Sequence, residues 1–461
     1  MTEFKYERNE VIDVFFKPIN NERKLILIHT HKITNRIKFI FNLFFKELLN
    51  VDFEITSKTE DFEAFEGVKF SYGKTQVNDE LFFASGNILF ERGISSQQIT
   101  FIDFNNSKAF FPVYNKASAL EFDPFAAAFY LVSRYEEYLP YRKDNYGRYS
   151  VTESLAHKNG FLQKPLVNQW ALHLGKILTQ HFPNFHFPGT KYKFIPTIDI
   201  DAAWAYKHKG FFRVAGGLLN SAFHLDFNNV VDRVRVLSGF KRDPFDTFTY
   251  QLNLQKKYNL KPIYFILFAE YGFNDKNIPV QNRQFQTLIK SLSDYASVGI
   301  HPSYGSHESP KKLRKEVENL SKVLNREITK SRQHFLKLLM PTTYRNLINL
   351  DITDDYSMGF AGQPGFRASI CSSFNFYDLD LDTETHLRVH PFTMMEGTLR
   401  DYMGLEPEIA LEFIKELIGE VKAVNGTFIS LWHNESLSNE ERWEGWQNVY
   451  EEMIRMAMPD K

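Results

Sequence analysis

The feature that most constrains this chain is an alternation of short apolar runs with longer amphipathic segments downstream of residue 190. The apolar runs have the length and composition of buried strands, and they are KPIYFILFA, SVGIH and GTFISLWHN. The segments that alternate with them have helical periodicity, and they are NRQFQTLIKSLSDYA, SPKKLRKEVENLSKVL and LEPEIALEFIKELIGEVKAV. In the last of these, apolar residues recur at every fourth position, namely Ile409, Phe413, Leu417 and Val421. The alternation is typical of βα units and predicts a parallel sheet, either doubly wound or closed into a barrel.

A different region precedes this alternation. Its end is indicated near residue 188, where helix-like residues give way to FPNFHFPGT, a stretch that contains Pro and Gly. Upstream, NRIKFIFNLFFKELLN has the pattern of an amphipathic helix, and Asp123 followed by Pro124 predicts the start of another helix. We therefore predict a mixed α/β domain of unknown role over residues 1–188 and a second domain over residues 189–461.

Charge and cysteine content narrow the classes of function. Lys and Arg number 55 and Asp and Glu number 56, so the net charge of −1 gives no global field that attracts nucleic acid. The single cysteine, Cys371, excludes an intramolecular disulfide and a thiolate metal cluster, and we expect it to be buried. No segment has the apolar length of a membrane span, and MTEFKYERNE lacks the apolar core of a signal peptide. We expect a cytoplasmic protein.

The stretch FIPTIDIDAAW ends an apolar run with two aspartates, Asp199 and Asp201. An ionised carboxylate is costly to bury unless it is paired, hydrogen-bonded or bound to a metal. In α/β folds, catalytic groups gather at the carboxyl ends of strands. The alternative is a turn or a helix cap, where Asp is also common.

Further polar side chains lie where other predicted strands end, and they are His301, His307, Arg332, His334 and His433. Carboxylates and imidazoles together bind divalent metals and transfer protons. Because several strand ends carry such groups, one shared metal-dependent site is favoured over a set of independent structural roles.

The order of these residues resembles that of the polysaccharide deacetylases of the NodB-homology superfamily, over roughly residues 190–461. The resemblance implies a distorted (β/α) barrel that carries a metal hydrolase site, with an additional mixed α/β amino-terminal domain. By the first family motif, Asp199 would be the catalytic base and Asp201 a metal ligand. By the second, His301 would be another ligand, while Gly305 occupies the place of the second histidine.

The remaining roles follow from the same resemblance. His334 is predicted to be the third ligand with His307 in reserve, and the expected divalent metal is zinc. Arg332 would orient Asp199, and His433 in SLWHN would be the general acid.

Further residues are candidates for substrate contact or for support of the site. Asp355 and Arg367 could line the site or pin a loop, and pinning is predicted for Arg367. His390 and Trp432 are additional candidates for substrate contact. The stretches SRYEEY and NYGRYS resemble the amino-terminal domain that accompanies such deacetylases. Tyr135, Glu136 and Glu137 could form an interface or a solvated helix face, and the solvated face is the one that we expect.

Together these residues predict a metal-dependent hydrolase that removes an acetyl group from an N- or O-acetylated sugar in cell-envelope polysaccharide metabolism. The expected partner is an acetylated sugar, an oligosaccharide or a lipid-linked glycan. Two alternatives remain: a degenerate deacetylase-like domain that binds carbohydrate without hydrolysis, which Gly305 favours, and a scaffold for envelope assembly. An insert over residues 206–237 is basic at its start and amphipathic later, which predicts a helical lid or, alternatively, peripheral membrane contact.

Overall fold

A computed structural model of the protein describes residues 25–210 and 227–459. The strands in this part of the chain are β1 Leu25–His29, β2 Asp52–Thr56, β3 Val68–Gly73, β4 Phe82–Ala84, β5 Phe101–Phe104, β6 Ser107–Phe110, β7 Lys193–Ile200, β8 Ile263–Ile266, β9 Ser297–Ile300, β10 Lys330–Ser331, β11 Asp354–Asp355, β12 Phe374–Asp378, β13 Thr383–Val389, β14 Met394–Met395 and β15 Thr427–His433. The helices are α1 Asn35–Phe41, α2 Thr59–Ala64, α3 Pro124–Val132, α4 Leu155–Lys158, α5 Leu166–His181, α6 Phe227–Leu237, α7 Phe248–Tyr258, α8 Arg283–Ser293, α9 Pro310–Leu324, α10 Thr342–Ile348, α11 Pro407–Ala423 and α12 Trp446–Ala457.

The amino-terminal region is mixed α/β, as predicted. Its four-stranded parallel sheet has the order β2-β1-β3-β4, and β5 and β6 form a separate antiparallel hairpin. Helix α1 continues into a π-helical segment, Asn42–Leu48. Helix α3 begins where the sequence indicates, because the Asp123 carboxylate accepts the backbone N–H groups of Phe125 and Ala126 at 3.0 Å each.

The carboxyl-terminal region is built on one nine-stranded sheet in the order β12-β13-β11-β10-β9-β8-β7-β15-β14. The described pairs are parallel except for β12 with β13. The alternation of strands and helices along the sequence therefore predicted the parallel sheet correctly. No pairing between described residues joins β12 to β14, so the predicted closure into a barrel is not shown.

The predicted helices form, and the spacing of apolar residues in α11 only partly coincides with its buried face. Helix α9 has Ser309 at its amino-terminal cap and Pro310 in its first turn, as the sequence indicates. In α11 the residues that the structure buries are Ala410, Ile414, Leu417, Ile418 and Val421. Ile409, one of the four apolar residues at four-residue spacing, is 59% exposed. The reason is that four residues advance a helix by more than one turn, so that a strict spacing of four drifts around the axis.

A close approach of strands near the site depends on glycine. A Cβ at Gly299 in β9 would lie 2.8 Å from the Lys330 carbonyl oxygen and 2.8 Å from the ring of Phe265. Neither the backbone of β10 nor a fully buried ring can shift easily. Glycine at this position therefore lets β8, β9 and β10 pack where their carboxyl ends meet.

The two regions pack against each other through both apolar and ionic contacts. The ring of Tyr377 on β12 lies 4.9 Å from that of Phe39 and 5.2 Å from that of Phe129. Arg367 donates to both carboxylate oxygens of Glu137, at 2.9 and 2.7 Å. Tyr135 and Glu137 are buried, so the expectation of a solvated face for Tyr135–Glu137 is wrong. The charge of Glu137 is tolerated inside because buried arginines pair with it.

The predicted lid falls largely on residues 211–226, which lie outside the described residues. The described end of the insert contains α6, on which Val231 and Val234 are exposed. Among the helices described, none combines the length and the hydropathy needed to cross a bilayer. Cys371 is buried, as expected.

Candidate metal centre

The carboxyl ends of four strands, β7, β9, β10 and β15, bring the predicted site residues to one edge of the sheet, with β8 between β7 and β9. In the register of β7 with β15, Asp199 lies opposite His433. His301 follows β9 and donates its backbone N–H to the Ile266 carbonyl at the end of β8. Arg332 follows β10 and donates its backbone N–H to the Ile300 carbonyl of β9. Parallel strands about 4.8 Å apart thus place side chains that are distant in sequence within contact distance.

Asp201, His301 and His334 form a group that could hold a metal ion, with one candidate ligand atom from each residue within 4.8 Å of the others. Asp201 Oδ1 lies 3.3 Å from His301 Nε2, and Asp201 Oδ2 lies 3.3 Å from His334 Nε2. Asp201 Oδ1 is buried and makes no hydrogen bond to the described residues in spite of this proximity. A bound cation would satisfy such an atom, and the observation therefore fits a metal site.

Both histidines of this group are anchored through the ring nitrogen that faces away from Asp201. His301 Nδ1 donates to the Arg332 carbonyl at 2.6 Å. His334 Nδ1 donates to the carboxylate of Asp275 at 2.9 Å, and Asp275 also accepts the backbone N–H of Tyr304. In the neutral ring, a proton on Nδ1 leaves Nε2 with a lone pair directed at the common point, which is how metal-ligating histidines are usually oriented.

Asp199 has a different set of partners. The side chain is buried, and its Oδ1 accepts a hydrogen bond of 3.0 Å from Arg332 Nη1. Arg332 is itself fully buried and is fixed by donating to Thr197 Oγ1 and to the Tyr356 carbonyl. Asp199 Oδ2 lies 3.7 Å from His301 Nε2, so this carboxylate stands beside the candidate metal position.

His433 faces the same space and is held from behind by Glu396. Glu396 Oε1 accepts hydrogen bonds from His433 Nδ1 at 2.8 Å and from the His433 backbone N–H at 2.7 Å. His433 Nε2 lies 3.9 Å from Asp201 Oδ2. Glu396 is fully buried, so its charge acts on the imidazole with little screening by solvent.

The carboxylates shift the pKa values of the imidazoles around them. Burial acts to lower the pKa of His334, but Asp201 and Asp275 raise it to about 9. Burial also acts to lower the pKa of His433, and Glu396 raises it well above its usual value. Burial acts to raise the pKa of Asp201, yet His334 holds it well below its usual value. The carboxylates thus favour the protonated form of these imidazoles. A metal ion that binds His334 would displace a proton from the ring, because histidine binds metals in its neutral form.

These residues line one pocket with a volume of about 190 Å³. Its polar side is formed by Asp199, Asp201, His301, His334 and His433 together with Gln333 and Glu435. Arg332 is not part of the lining, and its side chain reaches the site through the hydrogen bond to Asp199. The apolar side of the pocket is formed by residues that are buried, namely Leu336, Ala361, Met395 and Leu431. A cluster of charged groups thus adjoins a small apolar surface.

The structure places the reserve candidates elsewhere. His307 lies 3.5 Å from Thr343 Oγ1 and outside the pocket lining. Asp355 is buried and accepts hydrogen bonds from Ser331 and Ser357, so it connects β10 to the loop that follows β11. Arg367 pairs with Glu137, in agreement with the structural role predicted for it.

His390 and Trp432 also lie outside the pocket, which corrects their prediction as substrate contacts. His390 follows a strand, but β13 is three positions from β9 in the sheet, and the imidazole stacks on Tyr356 and pairs with Asp354. Trp432 alternates with His433 along β15 and therefore points to the opposite face, where it is fully buried.

Sequence reasoning missed Glu396 and Asp275. Glu396 directly follows β14, so the rule that functional groups lie at strand ends could have found it. The strand is only two residues long, however, and leaves no periodic signal. Asp275 lies in a segment without regular structure, and nothing in its local sequence indicates that it faces His334.

Comparison with protein families gives one match, over residues 26–183, to a family of unknown function, DUF7033. No protein with a curated description matches the sequence. The amino-terminal region is therefore similar to a family to which no activity is assigned.

Several solved structures are similar to the carboxyl-terminal part. One is a protein from Mycobacterium smegmatis assigned as a polysaccharide deacetylase, with 14% identity and a TM-score of 0.38, covering 59% of this chain and 87% of that chain. Another is a CE4 family pseudoenzyme from Bacillus anthracis, with 13% identity and a TM-score of 0.28, covering 57% and 61%. A third is a family 4 carbohydrate esterase from Streptomyces lividans, with 9% identity and a TM-score of 0.27, covering 58% and 87%. At such low identities and scores, these are likenesses that assign no chemistry to this chain.

Proposed function

We propose that this protein is a metal-dependent hydrolase that removes an acetyl group from an N- or O-acetylated sugar. The observation that carries the proposal is the convergence of Asp201, His301 and His334 on one point, with Asp199 and His433 beside it. Two imidazoles and one carboxylate with room for a further ligand are typical of catalytic zinc sites. Zinc is therefore the metal that we propose.

In this proposal, each residue of the chain has a separate task. A divalent cation, when bound, supplies Lewis acidity and lowers the pKa of a coordinated water to about 7. Asp199 accepts the proton of the attacking water, and Arg332 holds the carboxylate in place with a 3.0 Å hydrogen bond. His433 donates a proton to the leaving amine or alcohol, and Glu396 both fixes the ring and keeps it protonated.

The apolar side of the pocket supports an acetyl group as the group removed. Leu336, Met395 and Leu431 offer a surface that a methyl group can contact without burying a polar atom. A volume of about 190 Å³ suits a short acyl group better than a long one. The substrate class that we propose is an acetylated glycan, or a precursor of one, in cell-envelope polysaccharide metabolism.

The test is to measure the metal content of the purified protein and its release of acetate from a panel of N- and O-acetylated sugars and oligosaccharides. We expect about one metal ion per chain and acetate release that a chelator abolishes and zinc restores. Metal without acetate release from any member of the panel would contradict the hydrolase and favour a carbohydrate-binding role. Absence of a bound metal after zinc loading would contradict the assigned ligands.

A further inference from the structure

One wall of the candidate catalytic pocket has an unusual backbone. Phe335 and Leu336 follow directly after His334 and line the pocket. Their φ angles are 59° and 53°, in the left-handed region that bulky residues rarely adopt. Such a conformation persists only where surrounding contacts hold it, and it is often found at functional sites. The contacts that hold this wall therefore bear on the site.

The contact that holds the carbonyl of Phe335 comes from the amino-terminal region. Arg148 Nη1 donates to the Phe335 carbonyl oxygen at 2.9 Å, and Arg148 Nη2 lies 3.5 Å from the hydroxyl of Tyr402, which also lines the pocket. The third edge of the guanidinium is fixed, because Arg148 Nε donates to Asp144 Oδ2 at 2.6 Å. Arg148 is only 7% exposed, so these hydrogen bonds are largely shielded from water. One side chain thus joins two walls of the pocket to a loop of the other region.

The loop that carries Arg148 is itself well ordered by internal hydrogen bonds. Asp144 Oδ1 accepts the backbone N–H groups of Tyr146 and Arg148, each at 2.9 Å. Gly147 has a φ of 76°, which this tight turn requires of its residue. The backbone of Asp144 also pairs with that of Arg148. These hydrogen bonds therefore fix the backbone from which the Arg148 side chain extends.

Aromatic contacts add to the same junction. The ring of Tyr146 lies 5.1 Å from that of Phe335, and the ring of Tyr304 lies 5.4 Å from Phe335 on another side. The hydroxyl of Tyr304 donates to the Tyr146 carbonyl at 3.2 Å. The loop thus contacts both the side chain and the backbone of Phe335.

We propose that the loop Asp144–Arg148 is a functional part of the candidate catalytic pocket, and that Arg148 is a positioning residue that fixes the wall formed by Phe335 and Leu336. Because the wall is continuous with His334, Arg148 also fixes the backbone of a candidate metal ligand. The inference rests on the proposed function for its effect on turnover, but its effect on the wall and on metal geometry is independent of any substrate. It gives the amino-terminal region a role in the site.

The experiment compares Arg148→Ala and Arg148→Lys with the control Arg142→Ala, which removes an exposed arginine from the same segment. Lysine keeps the charge but cannot make the forked contacts to Phe335, Asp144 and Tyr402 together. Three quantities are measured on each folded variant: hydrogen–deuterium exchange of the segment 333–340, the visible absorption spectrum of the cobalt-loaded protein, and kcat and KM for acetate release.

We expect faster exchange in residues 333–340 and an altered cobalt spectrum in both Arg148 variants, with no change in the control. We also expect kcat/KM to fall by about 10²-fold, because a wall displaced by about 1 Å misplaces the substrate. If Arg148→Ala does not fold, Arg148→Lys carries the test. Exchange and spectra identical to those of the control would overturn the inference. If wild-type protein releases no acetate, the proposed function fails, while exchange and the cobalt spectrum still decide the role of Arg148.

Discussion

Asp199 and Asp201 are separated by one residue, yet their surroundings differ. Asp199 is buried and receives a hydrogen bond from Arg332, whereas Asp201 faces three imidazoles and its side chain is 36% exposed. Two carboxylates so close would repel each other unless cations offset their charges. Arg332 provides one such charge, and a metal beside Asp201 would provide the other.

Replacing the two aspartates one at a time separates their roles. Asp201→Asn should remove both metal and activity, because it eliminates the charged group among the proposed ligands. Asp199→Asn should retain metal and slow turnover by roughly 10²–10⁴-fold, the range for the loss of general-base assistance. Metal analysis and acetate release on both purified variants check this prediction. Equal metal loss in the two variants would contradict separate roles as metal ligand and general base.

The carboxylate behind His334 gives a second prediction at this scale. Asp275→Asn should weaken metal binding by about 10–100-fold, because partners that orient a ligating histidine typically contribute this much. Titration with zinc against a competing chelator measures the affinity. The control Asp351→Asn, at an exposed turn outside the pocket, should bind zinc like the wild type. An unchanged affinity in Asp275→Asn would mean that the 2.9 Å contact to His334 does not support the ligand.

At the scale of single elements, substitutions on the buried and exposed faces of α11 should differ in their effect on stability. Ile414→Ala should lower the free energy of unfolding by about 2–5 kcal/mol, because it leaves a cavity in the core. Ile409→Ala should change it by less than about 0.5 kcal/mol, since the side chain is 59% exposed. Urea unfolding followed by circular dichroism compares the two variants. Similar losses in both variants would contradict the exposed position of Ile409.

Some strands of the large sheet could be predicted from the sequence, but their order in the sheet could not. Strands β7, β8, β9 and β15 were found because continuous apolar runs are typical of strands buried on both faces. Their order in the sheet was not predictable, because pairing between distant segments leaves no local signal. His390 shows the consequence, since it ends a strand as predicted but that strand lies too far along the sheet to reach the pocket.

At the scale of the whole molecule, a buried ionic group joins the two regions. Glu137 is 3% exposed and pairs with Arg134 of its own region and with Arg367 of the other. Burial acts to raise the pKa of Glu137, but the two arginines hold it below its usual value. Sequence reasoning misjudged this residue, because a charged segment such as SRYEEY is ordinarily solvated and its partner lies 230 residues away.

Glu137→Gln should lower the free energy of unfolding by about 3–5 kcal/mol at pH 7, because it leaves a buried arginine without its counter-charge. The lowered pKa means that ionised Glu137 stabilises the fold fully above the usual pKa of 4.5 and loses this effect as the pH falls through the folded-state value. The difference between wild type and variant should therefore shrink as the pH is lowered below 4.5. Urea unfolding across this range measures it, with Glu66→Gln, at an exposed position, as the control. A difference that stays constant with pH would exclude the ionised pair as its source.

The position of β15 in the sheet has a consequence for biosynthesis. β15 lies between β7 and β14, and it pairs with β7 although Thr197 and Ser430 are 233 residues apart. While a ribosome makes the chain at about 5–20 residues per second, β7 has an open edge until β15 emerges. An open strand edge is a template for pairing with other chains. Nascent molecules are therefore most prone to aggregate before the segment that carries His433 is released, and chaperones that shield strand edges should improve the yield of folded protein.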